Sequence, residues 1–310
     1  MSQKNFRKRA IYMKPISLKE GDKIGIIAPA YATTYDMIAG ALHNLESAGF
    51  QIELAEHVFS DAYGFAGSIE ERAADFNAMI TDSTVKMILF GGGEVCNEIL
   101  PYIDYEAIKA NPKILASYSD STTILNAVTS MTGLVTFYGI SPNTFQDWNE
   151  YNWQSFEQRL MTNNTEYIKT SPWRVIRPGK CTGELTGGYL VNYAALQGLK
   201  WFELKHKDYI LFLEDHEGFG SPAVVAKWLT NLEHRGVFEH VKGFVFGHYS
   251  EQYHQELDEI LWRIGERYDI PVVKCEDFGH GVFNAIIPIG ITATLDTEHD
   301  YFEFHESGVI

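Results

Sequence analysis

KILASYSDSTTILNAVTSM, residues 113–131, reads as a buried strand, a polar elbow and an amphipathic helix in immediate succession. A β-branched and aliphatic run bounded by polar turn residues predicts a strand, and the spacing of TTILNAVTSM predicts a helix ending at Gly133 as its C-terminal cap. The same unit recurs on both sides. KIGIIA (23–28), QIELA (51–55), VKMILF (85–90) and LVTFY (134–138) read as further strands with helical stretches between them. One such stretch opens at Ser68 with a capping box to Glu71 and runs to about Thr81. Strand–helix alternation of this kind implies right-handed crossovers and a parallel sheet covered on both faces.

The rhythm is lost over 141–182, a stretch rich in Asn, Gln, Thr and Trp, and then returns in a different form. YILFLED (209–215), a helix opened by Ser221 and Pro222, GFVFGHY (243–249), a helix near 251–268 and PVVKC (271–275) follow; ITATLD and YFEFH flank a polar turn at 297–300 and predict a terminal hairpin. The fold class expected is α/β, with an N-terminal flavodoxin-like parallel-sheet domain and a smaller mixed α/β C-terminal domain carrying antiparallel strands. Its divisions are an extension at 1–12, the first domain at 13–145, a linker or lid at 146–180 and the second domain at 181–310.

A chain of 310 residues has ample length for two domains, and 45% hydrophobic with 21% charged residues is ordinary for a folded globular protein. The net charge of −16 argues against nucleic acid as a partner, because phosphate backbones are held by clustered Lys and Arg. Cys96, Cys181 and Cys275 have no metal-binding or redox spacing and fit a reducing, cytoplasmic setting. No apolar run of ~20 residues predicts a membrane span, and the basic N-terminus is not followed by the apolar core of a secretory signal. No metal or cofactor is expected, since H-E-x-x-H, Cys/His zinc spacing, the phosphate loop and the dinucleotide fingerprint are all missing.

Chemistry concentrates at three places. A strand-to-helix elbow lifts a serine hydroxyl above a sheet and offers the next backbone N–H to an oxyanion, which puts Ser119 forward as a nucleophile. The same cluster of Ser119, Asp120, Ser121 and Thr122 also fits a helix cap, and the usual G-x-S-x-G glycines are replaced by Ser117 and Ser121. Gly91-Gly92-Gly93 follows a strand where backbone N–H groups could hold an anion, although a tight turn accounts for it equally. Glu214 at the end of a strand and His280 in a Phe-Gly-His-Gly loop offer a carboxylate and a base, with His216 and His248 as competitors.

In order along the chain, GDKIGIIAPA (21–30), GSIEERAADFNAMITD (67–82), GGEVCNEILPYIDYEAI (92–108), NPKILASYSDSTTIL (111–125), FYG (137–139), GELTGGYL (183–190), ILFLED (210–215) and FGH (278–280) resemble the LD-carboxypeptidase family, which includes the microcin C immunity peptidases. The resemblance implies a serine hydrolase with Ser119 as nucleophile, Glu214 and His280 completing its triad, and backbone N–H groups of Gly93 and Asp120 as oxyanion donors. It implies substrate contacts at Gly92 and Glu94, no cofactor, a small peptide or peptidyl-nucleotide substrate and a homodimer. The substrate would be a murein-type peptide or a microcin C-like aminoacyl nucleotide. Aromatic residues of 148–173 are candidates for stacking on a nucleobase. The other reading is a binding protein on the same fold, without turnover. Three departures stand out: Ser117 replaces the elbow glycine, the family's R-G-G-Y-G reads Gly91-Gly92-Gly93-Glu94-Val95, and its G-G-N reads Gly187-Gly188-Tyr189.

Overall fold

The computed structural model describes residues 12–91, 93–206 and 208–310, so the extension expected at 1–12 lies, apart from Tyr12, outside the described residues. The first five strands are β1 (Lys23–Ile27), β2 (Gln51–Leu54), β3 (Val85–Phe90), β4 (Ile114–Ser117) and β5 (Thr136–Tyr138). They pair in parallel in the order β2-β1-β3-β4-β5. Helices α1 (Tyr35–Ser47), α2 (Ile69–Thr81), α3 (Tyr105–Ala110) and α4 (Thr122–Thr132) make the connections. This is the doubly wound, flavodoxin-like order, whose ligand crevice lies where the strand order reverses, between β1 and β3. The local signals act as their chemistry requires. Ser68 and Glu71 exchange both bonds of the capping box, and Gly133 ends α4 with a left-handed φ of 75°.

The segment after β5 carries more order than a bare linker. It forms α5 (Glu150–Phe156), whose Phe156 is buried in the main core together with Leu160, and strand β6 (Arg174–Arg177). The second sheet contains β7 (Lys180–Tyr189), β8 (Tyr209–Glu214), β9 (Val241–Phe246) and β10 (Val272–Lys274) in parallel, with α6 (Leu190–Leu196), α7 (Pro222–His234) and α8 (Gln255–Tyr268) between them. β6 closes one edge antiparallel to β10. The chain then crosses over. β11 (Ile287–Ile289) pairs antiparallel with β5 on the first sheet, and β12 (Thr292–Asp296) and β13 (Tyr301–Phe304) return to the second as the expected hairpin.

The two sheets are therefore laced together by residues 275–291, and one continuous hydrophobic core runs through both. A small satellite of Ile26, Ile38, Leu42 and Val58 packs beside it at the β1–α1 corner.

Candidate active site

Ser119 sits two residues beyond β4, at the start of a single 3₁₀ turn (Ser119–Ser121) that leads into α4. Its φ is 59°, a left-handed conformation that costs an L residue on the order of 1–3 kcal/mol and persists only where neighbours enforce it. Those neighbours are present. The Ser119 N–H donates to the Tyr138 hydroxyl at 3.1 Å, and its carbonyl accepts from Thr122 Oγ1 at 2.7 Å. Ser117, in the place of the family's elbow glycine, does not strain the turn. Ser117 belongs to the extended strand, and its hydroxyl donates to the Phe90 carbonyl at 2.6 Å, tying β4 to β3.

His280 Nε2 lies 2.9 Å from Ser119 Oγ, and His280 Nδ1 lies 2.9 Å from Glu214 Oε2. Glu214, at the end of β8, is fully buried, and its other oxygen accepts the Tyr138 hydroxyl at 2.6 Å. Burial pulls the imidazole's pKa down, but the charge and hydrogen bond of Glu214 outweigh it, and the net shift is upward. Gly279 is required beside them, since a Cβ there would meet Glu214 Cβ and Oε2 at 3.1 Å. Among the competitors, His248 is paired with Glu276 at 2.8 Å, and the His216 ring stands 6.3 Å from that of His280.

On the other side of Ser119, the buried carboxylate of Asp120 accepts the Cys96 N–H at 2.6 Å and a donor from Asn192 on α6. Burial pushes its pKa up to about 6 against the pull of those donors. Ser121 Oγ donates to the Gly91 carbonyl at 2.8 Å. These bonds fix the loop after β3 to the elbow. A Cβ on Gly93 would lie 2.7 Å from that of Ala30, so the backbone passes there only as glycine. Gly92 is outside the described residues; Glu94 is exposed, and its carboxylate raises the pKa of Tyr31.

Ser119, His280 and Gly93 open into a cavity of about 330 Å³. Rings of Tyr118, Tyr189 and Phe219 stand 5.1–5.2 Å from the His280 ring, and Tyr118 and Phe219 wall the cavity on that side. The aromatic residues of 148–173 take no part in this lining. Trp153 stacks on Phe156, and Trp173 is buried with its indole N–H on Asp277, so both are packing residues. Among the described residues no three His, Cys, Asp or Glu side chains form a ligating cluster.

Residues 24–139 match the LD-carboxypeptidase N-terminal domain, and residues 182–295 match the C-terminal domain. The chain belongs to the LD-carboxypeptidase family. It is thereby a serine peptidase of carboxypeptidase type, and its relatives agree. A probable murein peptide carboxypeptidase of Bacillus subtilis is 31% identical over 92% of this chain and 92% of its own. The microcin C7 self-immunity protein MccF of Escherichia coli is 28% identical over 91% and 92%. Among solved structures, an MccF-like protein from Bacillus anthracis superposes with a TM-score of 0.86 at 29% identity, over 94% of this chain and 98% of that one. MccF bound to aspartyl sulfamoyl adenosine shares the fold at a TM-score of 0.88 and 24% identity, covering 96% and 100%.

From the sequence, Tyr138 and Asn192 carry no role, and the Asp120 side chain carries only a place in a candidate helix cap. Tyr138 lay within the FYG stretch that carried the family resemblance, but its partners come from two different sheets. No spacing along the chain announces such a contact.

Proposed function

We propose that this LD-carboxypeptidase family member hydrolyses an amide bond through an acyl-enzyme on Ser119. The observation that carries the reading is the unbroken chain from Ser119 Oγ to His280 Nε2 at 2.9 Å and from His280 Nδ1 to Glu214 Oε2 at 2.9 Å. His280 takes the hydroxyl proton as Ser119 Oγ attacks the carbonyl carbon, and Glu214 holds the tautomer and stabilises the imidazolium. The negative oxygen of the tetrahedral intermediate is received by the N–H groups of Gly93 and Asp120. His280 then protonates the leaving nitrogen. A water, deprotonated by the same imidazole, releases the acyl group and returns the proton to Ser119.

The substrate is a small peptide of murein type or a peptidyl or aminoacyl nucleotide, contacted, as the family resemblance implies, by Gly92 and Glu94. Supporting this are the relatives' printed names and the aspartyl and glutamyl sulfamoyl nucleosides held by MccF. Three unpaired cysteines fit a cytoplasmic setting, and the family resemblance implies a homodimer. Among the described residues no helix is long and apolar enough to cross a membrane.

Intact-protein mass spectrometry after treatment with a fluorophosphonate tests the nucleophile. The wild type is expected to gain one adduct that Ser119→Ala does not, and Ser119→Ala is expected to lower kcat by ~10⁴–10⁶. Near wild-type turnover by the variant would sink the assignment.

A further inference from the structure

The cavity over Ser119 is not symmetric about the nucleophile, and the sheet order says which end is which. His280 lies on the segment joining β10 to β11, beyond β5, and Ser119 tops β4. The glycine loop follows β3, and residues 28–33 follow β1. Crossing the sheet, the sequence is therefore histidine, serine, oxyanion loop and then the β1–α1 corner. A general acid must reach the leaving nitrogen, so the leaving group lies on the His280 side. The acyl group then extends the other way, over the loop after β3 and toward β1.

That far end is largely apolar, with no Lys or Arg among the described residues that line it. Its apolar walls are Ala28, Ala32 and the 55% exposed Met37 above the buried Ile38 and Val58, with Tyr31 and Thr33 at the same corner. Among the described residues lining the whole cavity there is no Lys, Arg, Asp or Glu. The cations around that corner are already paired: Arg72, on the Pro29 carbonyl, is bonded to Glu98 at 2.7 Å, and His57, next to Val58, to Asp75 at 2.8 Å, in a chain of net charge −16. A carboxylate brought here would lose its water and find no unpaired positive partner among the described residues that line the cavity. A hydrocarbon side chain would bury surface against the exposed Met37 and the half-buried Ala28 and Ala32 at no such cost.

We infer that the β1–α1 corner is the acyl-side specificity pocket, and that it selects a substrate whose acyl residue carries an uncharged, apolar side chain over one carrying a carboxylate. This rests on Ser119 being the nucleophile. It sets the chain apart from MccF, which holds aspartyl and glutamyl sulfamoyl nucleosides.

The test uses N-acetylated aminoalkyl boronic acids that differ only in side chain, that of leucine or that of aspartate. In each, the Ser119 oxygen would donate an electron pair to boron while His280 takes the proton, so no leaving group is needed. The leucine analogue is expected to inhibit roughly tenfold to a hundredfold more tightly than the aspartate analogue. Met37→Lys, at an exposed position where folding is not at risk, is expected to narrow or reverse that ratio by improving the aspartate analogue. Equal inhibition, or tighter inhibition by the aspartate analogue, would overturn the inference. So would the absence of inhibition by either while a fluorophosphonate still labels Ser119. Failure of that labelling would instead overturn the nucleophile assignment and this inference with it.

Discussion

The hydroxyl of Tyr138, at the end of β5 on the first sheet, donates a 2.6 Å hydrogen bond to Glu214, at the end of β8 on the second. The same oxygen accepts the N–H of Ser119, so one phenol touches the strained serine and the buried carboxylate together. Its pKa is raised well above the ordinary tyrosine value by burial and by Glu214, which keeps the proton on the phenol as a donor. Tyr138→Phe would leave Glu214 Oε1 and the Ser119 N–H each short of a partner. A buried group left so costs about 1–3 kcal/mol. The variant is expected to melt earlier and to lose ~10–100-fold in kcat, since misplacement on the 1 Å scale has that effect. Unchanged kcat with only a lowered melting temperature would reduce Tyr138 to a structural bond.

The upward shift of His280 sets the acid side of the pH profile. The imidazole must be neutral to accept the serine proton, so kcat/KM should rise with pH through a midpoint above the ordinary histidine value of ~6.5. Because the folded pKa is the raised one, its contribution to stability is complete below the unfolded value and is lost as pH climbs through the folded value. Glu214→Gln removes the charge responsible; the midpoint should fall and kcat should drop by ~10⁴. Asp215, pushed up to about 7 by burial, titrates in the same range, so Asp215→Asn is the companion profile. An unmoved acid limb in Glu214→Gln would assign the titration elsewhere.

Asp120 and Asn192 form a donor–acceptor pair that can be exchanged. Asp120→Asn would turn an amide toward the Asn192 donor or the Cys96 N–H, and the loop after β3 would lose its tie to the elbow. With the proposed oxyanion donors on both sides of that tie, kcat is expected to fall by ~10²–10³ while KM holds. Asn192→Asp alone faces two carboxylates and should do the same or worse. The double exchange restores one donor against one acceptor and is expected to recover most of the loss. If it recovers nothing, the pair does not act through this bond.

Much of this arrangement is legible in the sequence because parallel strands are short, apolar and punctuated. VKMILF becomes β3 with five of its six residues buried, and the capping box at Ser68 and the glycine at 133 end up where their chemistry demands. What escapes are elements whose reason lies elsewhere in space. β11 contains Pro288, which in a strand reads as a break, yet an antiparallel edge beside β5 accommodates it. β7 carries the glycines 183, 187 and 188, poor strand formers, because Cβ atoms there would strike the backbone of β8 or Thr122. The family resemblance, not the spacing, singles out Ser119, Glu214 and His280, and nothing along the chain places the histidine on the crossover between the two sheets.

That crossover is stapled by a residue from α5. Asn152, buried, accepts the Asn284 N–H at 2.7 Å and donates to the Val282 carbonyl at 3.2 Å, while the Asn284 side chain donates to the Gly279 carbonyl at 3.1 Å. The loop bearing His280 is thus closed on itself through a segment that the sequence presents as a linker or lid. Asn152→Ala removes both ends of the staple and should let the imidazole wander from Ser119. A loss of ~10–100-fold in kcat is expected, with a matching fall in the rate of fluorophosphonate labelling. Asn152→Asp keeps the acceptor for Asn284 and loses the donor to Val282, so its labelling rate should fall between the two. A lower melting temperature with unchanged labelling in both variants would mean that Asn152 supports the fold and leaves the histidine where it was.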